Sequence, residues 1–198
     1  MKAHKSILSL VLALCVAAVP TYEKQTGNKV NVTYGSSGNF FSQLQNGAPF
    51  DLFFSADIDY AWKLETAGFA EPGTFYRYAV GRIVILTPAD SKVDVTKLGW
   101  KALLDGSVQK IAIANPEHAP YGRAAVAAMQ KAGIYDQVKA KLVYGDNISQ
   151  AAQFVQSGNA QVGIVALSLA MSLAMQDGRR WDIPASADRT GRNRVKER

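Results

Sequence analysis

Two stretches of the chain follow one plan, and that repetition restricts the fold more than any other feature. Residues 32–54 read "VTYGSSGNFFSQLQNGAPFDLFF" and residues 142–165 read "LVYGDNISQAAQFVQSGNAQVGIV". Each is an apolar strand ending in Tyr-Gly, a short polar turn, a short amphipathic helix, a stopping glycine and a second apolar strand. Ser37 to Gly47 is ten positions and Asn147 to Gly158 is eleven, room for a helix of two to three turns. In the first copy Phe40, Phe41 and Leu44 supply the helical spacing, and Ser37 or Gly38 stands at the helix start. Strands and helices continue to alternate elsewhere. "TYEKQTG" reads as the end of a helix closed by Gly27, "KVNVTYG" as a strand and "APFDLFFSAD" as a nearly continuous buried strand. "IDYAWKLETAGF" is an amphipathic helix, "YAVGRIVILTP" a β-rich run stopped by Pro88, and "SVQKIAIANPEHAPYGRAAVAAMQKAG" a strand, loop and Ala-rich helix. The class is α/β with a mostly parallel sheet.

In such sheets ligands gather where strands run into helix N-termini. Backbone N–H groups there lack intrahelical partners, and the helix dipole adds to their attraction for anions. A serine at such a place more often serves as a simple cap. Here "GSSGN", "GDNIS" and the loop "NPEHAPYG" are three polar strand-to-helix loops. Residues 35–39 and 145–149 contain no Lys or Arg, so a ligand held there is held by hydroxyls and backbone N–H groups.

The +6 net charge of the 198 residues sits mainly at the ends. Lys2 and Lys5 carry two positive charges and the last eleven residues a net three, which leaves residues 6–187 close to neutral. A nucleic-acid binder needs a basic face on its fold, so that class loses its support. Residues 1–20 have the pattern of an export signal, "MKAHK" before an apolar run, Ile7 to Val19, too short to span a bilayer. Cys15 is the single cysteine and falls in that segment, so no intramolecular disulfide is expected.

Enzyme readings find little chemistry. The other histidine beside His118 is His4, so no His-based metal site can be built. Asp51, Asp57 and Asp59 cluster as a cation site or paired acids would, but Asp51 and Asp57 read as residues that cap or flank a strand and the following helix. Ser37 has no base nearby in sequence and no nucleophile elbow. Trp62, Trp100 and Trp181 are spread apart and read as core or interface.

The runs "YEKQTGNKVNVTYGSSGNFFSQLQNGAPFDLFFSAD", "IANPEHAPYGRAA", "YGDNISQAAQFVQSGNAQVGIVALSLA" and "WDIPASA" occur in this order. Together they resemble the periplasmic molybdate-binding proteins of ABC transporters. The resemblance implies a two-lobed type II periplasmic binding protein fold, each lobe a mostly parallel sheet flanked by helices. A signal-like segment, 1–20, would precede a first lobe of 21–81 plus 171–187. The second lobe is 82–170, and 188–198 is a basic tail expected to have no fold. The crossings between lobes fall near "VGRIVI" and "IVALSLA". Against the family pattern the chain is shortened at both ends, so the first lobe is expected to be incomplete.

Carried over position by position, the resemblance implies that Ser37 donates through its hydroxyl and backbone. Ser36, Tyr121, Asn147 and Ile148 donate mainly through backbone N–H groups. A tyrosine of some members is replaced by Ala166, with Ser168 nearby. The implied ligand is molybdate, or tungstate of nearly the same size, with no cofactor and no metal cation. The implied partner is the membrane permease of an ABC importer, and the protein is expected to be a monomer in the periplasm. Weak binding or none is expected, because two hydroxyl donors of the family pattern are missing. The alternatives are a binding protein for sulfate or another oxyanion, a cytoplasmic oxyanion-sensing module and, more distantly, a hydrolase.

Overall fold

The computed structural model describes residues 19–88, 90–177 and 181–182. The expected export signal up to residue 18, Cys15 and the basic tail lie outside the described residues, as do parts of 171–187. Among the described residues, 19–26 are helical and are called α1. Gly27 follows at φ +76°, the left-handed turn that ends helices at low cost for glycine. Then come α2 (Ser37–Gln45) and α3 (Ile58–Thr66). Their starts are capped by side chains. Ser36 Oγ accepts from Asn39 N–H at 3.3 Å, and Asp57 Oδ1 accepts from Asp59 N–H at 3.1 Å.

All five strands among the described residues come later: β1 (Ile83–Leu86), β2 (Ile111–Ala114), β3 (Leu142–Gly145), β4 (Val162–Ala166) and β5 (Trp181–Asp182). They form one sheet in the order β3-β2-β4-β1-β5. β2 runs parallel to β3 and β4, whereas β1 is antiparallel to β4 and β5. Ile83 faces Ala166 across the antiparallel pair, and Leu167 N–H donates to Arg82 O at 2.8 Å just beyond it. The two passages out of the sheet, before β1 and after β4, therefore lie side by side.

Alternation along the strands sends side chains to opposite faces. Ile85, Ile111, Ile113, Val162 and Ile164 form one core with Trp100, Leu103, Ala125, Met129 and Val138. These come from a 3-10 turn (Gly99–Leu104) and from helices α5 (Pro120–Lys131) and α6 (Tyr135–Val138), reached through the short α4 (Val95–Leu98). Val84, Leu86, Ala112 and Val165 form the other core with Ala151, Ala152, Val155 and Ala170. That face is covered by α7 (Ile148–Gln156) and α8 (Leu167–Asp177). Each fully buried Ile, Leu or Val contributes about 1.5–3 kcal/mol of apolar transfer, so both faces of the sheet are well anchored. Close helix approach needs glycine at Gly122, where a Cβ would overlap Ala114 O.

Two expected strands are absent. Residues 29–34 and 48–57 are extended or bent but form no ladder. Val32, Tyr34, Phe50, Leu52 and Phe54 are exposed, Leu52 at 72%. The alternation and apolar run are those of strands, but a strand's N–H and C=O groups need a neighbouring strand. Among the described residues none lies beside either segment. Within residues 19–82 only Ser36, Ser37, Gly38 and Leu64 are buried. Local aromatic pairs hold this part instead: Phe40–Phe50, Phe41–Tyr60 and Phe54–Tyr78, with centroids 5.0 to 5.6 Å apart.

Candidate functional site

The site is built from three helix starts. Ser36 caps α2 and Ser37 is its first residue, both buried although polar. Ser37 Oγ accepts from Ala56 N–H at 3.0 Å. A hydroxyl that accepts keeps its one hydrogen to donate, and the same holds for Ser36 in its cap. The N–H of Ser37 lies in the first turn, where no intrahelical acceptor exists. Tyr121 is the second residue of α5 and follows Pro120, whose missing N–H suits the first position. Asn147 caps α7, its Oδ1 accepting from Gln150 N–H at 3.0 Å, and Ile148 opens that helix.

His118 joins the three starts. Gly38 N–H in α2 donates to His118 O at 2.9 Å. The imidazole Nε2 is 3.1 Å from Asp146 O, in the turn before α7. A carbonyl can only accept, so Nε2 carries the hydrogen of this bond. His118 itself lies in the loop that leads into α5. The five residues expected at the site thus fall at three helix starts connected through one residue. Gly38 permits the approach, since a Cβ there would overlap His118 O and come 2.9 Å from the Tyr60 hydroxyl.

Ala166 is buried in β4 opposite Ile83, and Ser168 is half-buried in the first turn of α8.

The surrounding charges are paired or turned outward. Arg123, one turn into α5, donates to Asp57 Oδ2 at 2.7 Å and to the Tyr60 hydroxyl at 3.0 Å. Its guanidinium also stacks 5.2 Å from the Tyr60 ring centroid. Burial works against its charge, but the bonds to Tyr60 and Asp57 outweigh it and hold its pKa above the ordinary value. The Asp146 side chain is exposed. Burial pushes the Tyr121 phenol above the usual tyrosine value. A Cβ on Gly81, in the passage before β1, would sit 3.0 Å from the Tyr121 hydroxyl. Among the described residues no group of three His, Cys, Asp or Glu side chains could hold a metal ion.

Arg123 and Tyr60 escaped the sequence reading because their partners lie 63 and 66 positions away. Asp57 was legible as a cap, not as an ion-pair partner. Trp100 is buried as expected, while Trp62 is 57% exposed and belongs to no core. It lies on α3, whose outer face nothing among the described residues covers.

A family model described as bacterial extracellular solute-binding protein matches residues 13–190. The molybdate-binding protein ModA of Rhodobacter capsulatus is 40% identical over 163 residues, 82% of this chain and 62% of that protein. ModA of Azotobacter vinelandii is 42% identical over 164 residues, 82% of this chain and 64% of that protein. The solved periplasmic molybdate-binding protein of Azotobacter vinelandii aligns with a TM-score of 0.73 at 36% identity, over 81% of this chain and 69% of that one. The chain spans 62% and 64% of the length of these two curated relatives. The α/β architecture with flanking helices is that of the periplasmic binding proteins. Likeness in sequence and in fold agree, and the chain belongs to the bacterial extracellular solute-binding protein family.

Proposed function

We propose that the chain binds molybdate in the periplasm and delivers it to the membrane permease of an ABC importer, as a monomer and without catalysis. The observation that carries this reading is the joining of three helix starts through His118, with two buried serine hydroxyls at one of them. The names of the relatives, molybdate-binding proteins, supply the ligand. Ser37 donates through its hydroxyl and backbone, and Ser36, Tyr121, Asn147 and Ile148 through backbone N–H groups.

Such a donor set selects by protonation. Molybdate at neutral pH is an acceptor-only tetrahedral dianion, so every site donor finds an oxygen. Phosphate carries an O–H of its own, which would face another donor and leave a buried hydrogen bond unmade, at about 1–3 kcal/mol. Sulfate is also acceptor-only and must be refused by size, whereas tungstate fits as molybdate does. In this reading residues 21–81 with 171–187 form one lobe and 82–170 the other. The adjacent passages at Arg82 and Leu167 form the hinge, supported by their direct hydrogen bond.

Calorimetric titration of the purified chain with molybdate, sulfate and phosphate tests the reading. Saturable molybdate binding that the controls do not share is expected. Replacing Ser37 by Ala should weaken it by about 10- to 150-fold, the loss of one hydrogen bond to a charged group. No molybdate binding by a chain shown to be folded by circular dichroism would overturn it.

A further inference from the structure

Among the described residues, three hydrogen bonds join the α2–α3 pair to the sheet-bearing part of the chain, and their chemistry is unequal. Gly38 N–H to His118 O uses only main-chain atoms. The other two, from Arg123 to Asp57 and to Tyr60, share one guanidinium. Outside these contacts the pair has little to fix it, because Leu64 is its one buried apolar side chain.

We infer that Arg123 is a latch that keeps α2 docked on the His118 loop, and that it thereby sets how long the three helix starts remain assembled. The guanidinium fork suits this task. It donates from two separate nitrogens to a phenol and a carboxylate, with its central carbon 5.2 Å from the Tyr60 ring centroid, a fixed fork that a compact ammonium does not offer. Asp57 serves two masters with separate oxygens: Oδ1 caps α3 through Asp59 N–H, and Oδ2 takes Arg123. Neither Arg123 nor Asp57 is expected to touch the ligand, so both act as positioning residues. The latch extends the function proposed above only in its consequence for ligand retention.

The readout is hydrogen exchange at the Gly38 amide in the full chain without ligand. Gly38 occupies the second position of α2, so its acceptor is not in its own helix but across the joint. Its protection therefore reports docking, whereas amides of β2 report the sheet. Asp57→Asn keeps an oxygen for the α3 cap and removes the charge that Arg123 meets. It should speed Gly38 exchange by about tenfold or more, the factor that about 1.4 kcal/mol represents, with Ile113 exchange unchanged. Arg123→Lys should fall between wild type and Asp57→Asn. Molybdate dissociation, measured by stopped flow, should accelerate in the same order. Unchanged Gly38 exchange in both variants would overturn the latch. Faster Gly38 exchange in the variants, with a wild-type chain that binds no molybdate, would leave the latch standing and remove the ligand reading instead.

Discussion

The sheet-bearing part of the chain and the helical pair before it are written in the same sequence language but reach different structural ends. In the first, α7 sits between β3 and β4, and its apolar positions Ala151, Ala152 and Val155 are fully covered. In the second, α2 sits between two equally apolar segments, yet Val32, Tyr34, Phe50, Leu52 and Phe54 remain exposed. The difference teaches that a strand pattern encodes readiness for burial. Whether burial happens depends on a neighbouring strand, which local sequence does not supply.

The largest effects should separate the two parts cleanly. Leu103→Ala or Ile113→Ala should cost about 2–5 kcal/mol in urea unfolding, because both side chains are fully buried and leave cavities. Leu52→Ala in the helical pair should stay within about 0.5 kcal/mol. An equal loss at Leu52 would show that something covers it in solution and would break the comparison. Next comes the joint itself. Gly38→Ala places a methyl group onto His118 O and should cost about 1–3 kcal/mol of docking. It would be read as faster protease cleavage between α2 and α3, with sheet amides as protected as before.

Smaller effects sharpen the contrast. Asn147→Ala removes the α7 cap and should lower global stability by about 1 kcal/mol. Ser36→Ala removes a matching cap from α2, but its cost should show as local opening and not in the global transition. The smallest concerns alkaline pH. Burial raises the Tyr121 phenol above the unfolded value near 10. Above about pH 10 the unfolded chain then loses this proton first, so stability is full below that pH and falls as pH rises through the folded pKa. Tyr121→Phe should flatten that decline in thermal melts taken from pH 9 to 11.

Legibility followed the same division. β3, α7 and β4 could be read because the turn "GDNIS" carries its own cap and Gly158 its own stop, at φ +75°. β1 and β2 announced themselves by apolar runs, whereas the 3-10 turn at Gly99–Leu104 had no such signal. Residues 29–34 and 48–57 misled because their pattern describes a buried face without naming what would cover it. The placement of Ser36, Ser37, Tyr121, Asn147 and Ile148 at helix starts was reachable through loop chemistry. The Arg123–Asp57–Tyr60 group was not, since no periodicity links positions so far apart.

The bond between Gly38 and His118 has a consequence for how such a chain can drift over generations. Its acceptor is a carbonyl that every amino acid brings, so position 118 can change identity without losing this bond, although the imidazole's bond to Asp146 O would go. Its donor sits where a Cβ does not fit, so position 38 is bound to glycine for as long as the joint is kept. One half of the contact is inherited with the backbone and the other with a single codon. Substitutions in descendants should therefore accumulate unevenly across a bond whose two ends carry equal structural weight.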